Sequence, residues 1–109
     1  MTLINLAIKE AKKSKHFFKV GAIIAKGKRI LSRGYNSRNH CTLNRLYHTR
    51  HAEMNAIEKM LKTKEHSLLL EGATLYVARV TKTGLGVSKP CPQCQALINK
   101  VGIKKVIHT

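Results

Sequence analysis

The sequence predicts an α/β fold, a mixed sheet of about four strands with helices on both faces, in the order α-β-β-α-β-α-β. Three observations predict it. The chain opens on an amphipathic helical segment; two strand-like runs follow across a Gly27-Lys28 turn; and from His51 onward helical and strand patterns alternate. Alternation of that kind calls for a sheet covered on both sides. With 109 residues, the span 1–109 reads as one domain, long enough to bury a core without a disulfide framework.

Each element has its own signal. Over 3–13, Leu3, Leu6, Ala7 and Ala11 share a face while Lys9, Lys12 and Lys13 lie off it, which predicts a helix. The run from Phe17 to Ala25 is apolar throughout and reads as a buried strand, with Phe17 and Phe18 in the core. Arg29 to Tyr35 is its hairpin partner. Residues 36–50 are polar and irregular, a loop rich in basic groups. His51 to Lys62 has helical spacing, with Met54, Ile57 and Leu61 on the apolar side. Ala73 to Val80 predicts a third strand, and Thr81 to Lys89, with two glycines, a loop. Pro92 suits a first helical turn, so a helix enters at Cys91 and runs to Val101, where Gly102 stops it. Ile103 to His108 predicts a fourth strand, whose bare edge calls for cover by another chain and hence a homo-oligomer.

Composition narrows the function classes. Lys and Arg number 21 against 5 acidic residues, a net charge of +16. Such a surface attracts polyanions. Lysine is nevertheless scattered over every segment, and no dense basic run marks a binding arm. Charge alone therefore leaves a nucleic-acid partner and a merely solvated surface both open. No apolar run approaches the ~20 residues of a membrane span, and the N-terminus lacks a signal peptide's charged start and cleavage site. The expectation is a soluble, intracellular, cytoplasmic protein with no membrane partner. Three cysteines are a poor basis for a secreted scaffold, and Cys91-x-x-Cys94 in a reducing compartment points to metal or redox chemistry.

The chemistry concentrates in His51-Ala52-Glu53 and, forty positions later, Pro90-Cys91-Pro92-Gln93-Cys94. Two thiols three apart at a helix start can grip one metal ion from the same turn, and helix N-terminal amides favour their ionised form. His51, at the start of another helix, adds a third ligand. Three protein ligands leave one tetrahedral position of a zinc ion open, which marks a catalytic rather than a structural site. Water held there becomes a nucleophile near neutral pH. Glu53, two residues after His51, reaches beside the metal without binding it and suits a proton shuttle. A structural zinc knuckle would supply a fourth Cys or His at close spacing, and none is evident. A thioredoxin-like redox motif would leave His51 and Glu53 unexplained.

This H-x-E…P-C-x-x-C set is a signature of zinc deaminases of nucleobases. Together with Val20-Gly21-Ala22-Ile23-Ile24, Gly34-Tyr35-Asn36, His51-Ala52-Glu53-Met54-Asn55-Ala56-Ile57 and Gly72-Ala73-Thr74-Leu75-Tyr76-Val77, it resembles the cytidine and deoxycytidylate deaminase superfamily over nearly the whole chain. The deoxycytidylate branch is the more similar. The resemblance implies that superfamily's three-layer fold and zinc cofactor. It also implies substrate contacts from Asn36, to the sugar, and from Ala22 and Ala52, with Ala22 near the base. The reaction it implies is hydrolytic deamination of cytosine to uracil in a free nucleotide such as dCMP, with attack at C4 and Glu53 as the proton shuttle.

The chain departs from that branch in two places. Gly34-Tyr35-Asn36 continues as Ser37-Arg38-Asn39, without the Gly and Pro that often follow. The connection Arg79–Lys89 is longer than the branch's short one and ends Ser88-Lys89-Pro90-Cys91, faintly similar to polynucleotide cytosine deaminases. An alternative substrate is therefore cytosine, or less readily adenine, in single-stranded DNA or RNA. An alternative of another class is a deaminase-fold protein that binds nucleic acid without catalysis, against which the intact Glu53 argues. Arg38, Arg45 and Arg50 lie between Asn36 and His51. They are candidates for holding a substrate phosphate through paired hydrogen bonds, or else part of a solvated basic loop.

Overall fold

Thr2 opens the first helix by accepting the Asn5 N–H at 3.3 Å. The computed structural model describes residues 2–14, 19–36 and 51–109. Their elements are α1 (Leu3–Ala11), β1 (Lys19–Lys26), β2 (Arg29–Tyr35), α2 (Ala52–Leu61), α3 (Lys64–Leu68), β3 (Thr74–Thr81), β4 (Gly84–Gly86), α4 (Pro92–Lys100) and β5 (Lys105–His108). Phe17 and Phe18, expected in the core, lie outside the described residues, as does the basic loop 37–50.

β1 lies between β2 and β3 and is antiparallel to both, with Ala22 opposite Gly34 on one side and Val77 on the other. The far edge of β3 is divided. Its residues Thr74–Val77 take β5 in parallel, and Arg79–Thr81 take β4 antiparallel. The outer edges of β2 and β5 have no partner strand among the described residues.

Side chains alternate across this sheet into two cores. Ala22 and Ile24 of β1, with Leu75 and Val77 of β3, pack with Ala52, Ala56 and Ile57 of α2 and Ile98 of α4. Ile23 and Ala25, with Ala78, pack with Ala7 of α1 on the other face. The unbroken apolar run in β1 follows directly, because a strand buried on both faces has no polar side. The outcome is the expected sheet with helices on both faces.

Two glycines set how closely the helices approach. A Cβ on Gly21 would collide with the Ala7 carbonyl oxygen and the Ala11 nitrogen. One on Gly34 would lie 2.7 Å from both the Ala52 oxygen and the Ala56 nitrogen. Small residues thus face small residues, and the start of α2 rests directly on β2. Side chains pin it there: Ser32 Oγ donates to the Ala56 carbonyl at 2.8 Å, and Asn55 Nδ2 to the Tyr35 carbonyl at 3.0 Å.

The structure adds two elements to the expected order. The segment expected as a loop over Thr81–Lys89 contains β4, so the sheet has five strands among the described residues. Its Gly-Leu-Gly is too short to show a two-residue period. α3 is a single turn held by the Thr63 hydroxyl, which accepts from the His66 N–H at 3.2 Å. The last strand begins at Lys105 rather than Ile103, although its approach is already bonded: Gly72 N–H donates to the Gly102 carbonyl at 2.8 Å and Lys104 N–H to the Ala73 carbonyl at 2.9 Å. No helix among the described residues is long and apolar enough to cross a membrane.

Candidate active site

The site is built at two helix starts. His51 is the N-cap of α2, in extended conformation, and its side chain makes no capping bond. The ring is turned instead toward α4. Cys91 is the N-cap of α4, with Pro92 in the first turn. The Cys94 N–H donates to Cys91 Sγ at 3.5 Å. His51 Nδ1 lies 3.2 Å from Cys94 Sγ and 3.5 Å from Cys91 Sγ. Among the described residues, these three bring their ligand atoms within 4.8 Å of one another.

The donor set fits zinc. Zn–N and Zn–S bonds of ~2.1 and ~2.3 Å at tetrahedral angles put the ligand atoms roughly 3.6 Å apart, close to what the side chains show. Charge argues the same way. Burial pushes the Cys94 thiol well above its ordinary range, and the neighbouring Glu53 carboxylate and Cys91 push it further. Burial thus outweighs the helix N-terminus that would favour ionisation. A cation would be needed to hold two sulfurs as thiolates beside a carboxylate.

Glu53 is buried in the first turn of α2, within hydrogen-bonding reach of the Cys94 thiol. Its carboxylate stands outside the three-ligand cluster. A cleft of about 330 Å³ opens on the group, lined by Val20, Asn36, His51, Ala52, Glu53 and Cys91 on one side and by Arg79, Val87, Ser88 and Lys89 on the other. This is large enough to receive a small organic ligand.

The structure brings most of the anticipated residues to this cleft. Asn36 is buried and fixed, its Oδ1 accepting from the Val20 N–H at 2.9 Å and its carbonyl from Ser14 Oγ at 2.8 Å. Ala52 forms part of the wall. Ala22 is fully buried in the core and does not line the cleft; Val20, two residues earlier on the same strand face, does. Arg38, Arg45 and Arg50 lie outside the described residues.

Sequence reasoning did not single out Arg79 and Lys89. The signal for Arg79 was present: it follows Leu75 and Val77 at two-residue spacing and so shares their face of β3, at the end nearest the metal ligands. Lys89 carries no such periodicity.

The family model for the cytidine and deoxycytidylate deaminase zinc-binding region matches residues 1–109. No curated protein matches the chain. Among solved structures, dCMP deaminase from the cyanophage S-TIM5 is 31% identical, with a TM-score of 0.73, over 96% of this chain and 77% of its own. The same phage enzyme in complex with dCMP and dUMP aligns at 27% identity, with a TM-score of 0.68, over 96% of this chain and 76% of its own. Cytidine deaminase from Burkholderia pseudomallei is 25% identical, with a TM-score of 0.66, over 94% of this chain and 78% of its own.

Proposed function

The chain belongs to the cytidine and deoxycytidylate deaminase family of zinc-dependent hydrolases, and from that premise we propose that it converts cytosine to uracil in a free nucleotide, dCMP being the simplest case. The observation that carries the reading is the convergence of His51, Cys91 and Cys94 beside a buried Glu53 at one wall of a cleft. The similarity to a phage dCMP deaminase, whose complex holds dCMP and dUMP, supports the choice of nucleotide.

In this reading His51, Cys91 and Cys94 hold the metal. Zinc, when bound, supplies a positive charge that allows water to ionise near neutral pH. Glu53 moves the proton. It takes one from the attacking water, delivers it to N3 of the pyrimidine as oxygen adds to C4, and then protonates the departing amino nitrogen, which leaves as ammonia. Burial of Glu53 keeps bulk water from competing for that proton. Asn36 holds the sugar, and Ala52 bounds the base.

A second reading, cytosine in single-stranded nucleic acid, has its own support in the +16 charge and in the Arg79–Lys89 segment at the mouth of the cleft. Incubating zinc-loaded protein in parallel with dCMP, cytidine and a cytosine-containing single strand separates the two by which uracil product accumulates. Self-association is part of the proposal, because the outer edge of β5 lacks a partner strand among the described residues. A monomeric mass by light scattering at working concentration would count against it.

A further inference from the structure

The wall of the cleft opposite Asn36 is where this chain departs from the short connection of its branch, and it is cationic. Arg79 leaves the end of β3 on the same face as Val77, and Lys89 stands two residues before Cys91; both line the cleft. Glu53 is the sole carboxylate among the described residues that line it.

This wall is built, not merely exposed. Arg79 is opposite Gly86 across the β3–β4 ladder. A Cβ on Gly86 would lie 3.0 Å from Arg79 Cδ and 3.3 Å from its Cγ, so the glycine lets the arginine stem lie along the strand. Beneath it Thr109 and Ser88 form a clasp. Thr109 Oγ1 accepts the Arg79 N–H at 3.1 Å and donates to the Gly86 carbonyl at 2.7 Å. Ser88 Oγ, buried, donates to the Val77 carbonyl at 2.9 Å, and the Ser88 N–H to the Thr109 carbonyl at 2.9 Å. Both cations are therefore carried on backbone fixed to the central sheet.

We propose that Arg79 and Lys89 form the phosphate-recognition pair of the cleft and make it selective for a phosphorylated cytosine nucleoside over the nucleoside or the free base. The inference rests on the deaminase reading for its base and on this wall alone for its phosphate. A guanidinium offers paired donors to phosphate oxygens, and an ammonium adds a mobile point charge. Gly86 and the Ser88–Thr109 clasp act as positioning groups.

The test is equilibrium binding by calorimetry to the zinc-loaded full chain. The probes are dUMP and deoxyuridine, which differ only in the phosphate and are not consumed. Wild type is expected to prefer dUMP by at least about tenfold. Arg79→Gln should cut that preference about tenfold, and Lys89→Gln about threefold. Arg79→Lys should recover part of it. Gly86→Ala, which keeps the charge but crowds the stem, should fall between wild type and Arg79→Gln. Zinc content and circular dichroism report folding; if Arg79→Gln fails to hold zinc, the exposed Lys89 decides. A single strand carrying one uracil separates the sources. Loss of dUMP binding alone marks a mononucleotide phosphate. Loss of strand binding with a salt slope lower by about one marks a backbone phosphate. Equal affinity of wild type for dUMP and deoxyuridine, or an unchanged preference in both Gln variants, overturns the proposal. Turnover of dCMP, followed in parallel, bears on the deaminase reading alone: its absence with the dUMP preference intact sinks that reading and spares this one.

Discussion

The two walls of the cleft are built by different means. One is the meeting of two helix starts, His51 to Glu53 on α2 and Cys91 to Cys94 on α4, with Ala52, Glu53 and Cys94 buried. The other is the end of a hairpin and its exit, Arg79 and Val87 to Lys89, where Ser88 is buried but Val87 and Lys89 are exposed. The first wall carries the family's motif and all the chemistry assigned to bond breaking. The second lies in the chain's longer connection and carries charge. Reaction and selectivity therefore sit on separate segments, and damage to one should be separable from damage to the other.

The most damaging break is in the first wall. Cys94→Ser, or removal of zinc by a chelator, should abolish turnover and lower the melting temperature, because the remaining ligands lose their shared ion. Elemental analysis should fall from one zinc per chain toward none. Glu53→Gln should be nearly as costly to turnover, by about 10²–10⁴-fold, while zinc content and fold stay intact. Normal activity in that variant would mean that another group moves the proton.

A third change tests whether packing positions this wall. Gly34→Ala puts a Cβ against the backbone of Ala52 and Ala56, where no flexible side chain can yield. Denaturant unfolding should show a loss of about 1–3 kcal/mol, together with weaker zinc binding as the start of α2 moves. The second wall should respond differently. Ser88→Ala removes the hydroxyl that satisfies the buried Val77 carbonyl and should cost about 1–3 kcal/mol, with zinc content unchanged.

The smallest effect is one of pH. In the metal-free chain the Cys94 thiol is held above its ordinary value of 9.0 by burial first and by Glu53 and Cys91 next. The folded state then keeps a proton that the unfolded state releases. This contribution to stability is complete below pH 9.0 and declines as pH rises beyond it. Zinc must displace the same proton, so zinc affinity should weaken as pH falls. Chemical denaturation of the stripped and loaded chain across pH 7–10.5 checks both signs.

The same division explains what the sequence disclosed. β2 was legible to the residue from the Gly27-Lys28 turn and its alternating pattern, and the start of α4 from Pro92. His51, Glu53, Cys91 and Cys94 stood out because metal chemistry demands fixed residue types at fixed spacings. β4 and α3 did not, being three and five residues long, too short for a period to emerge. The hairpin register that aims Arg79 at the cleft depends on a glycine opposite it and on Thr109, thirty residues away. Contacts of that range leave no local mark. Lys89 is one lysine among many until the fold places it at the cleft.

The central claim is that these residues form a zinc deaminase of cytosine nucleotides, and the most direct measurement is conversion of dCMP followed by loss of cytosine absorbance and release of ammonia. Zinc-loaded protein should yield dUMP and ammonia in equal amounts, the chelator-stripped protein neither, and readded zinc should restore both. Fully zinc-loaded, folded protein that deaminates neither dCMP nor cytosine in any other nucleoside, nucleotide or single strand would contradict the account.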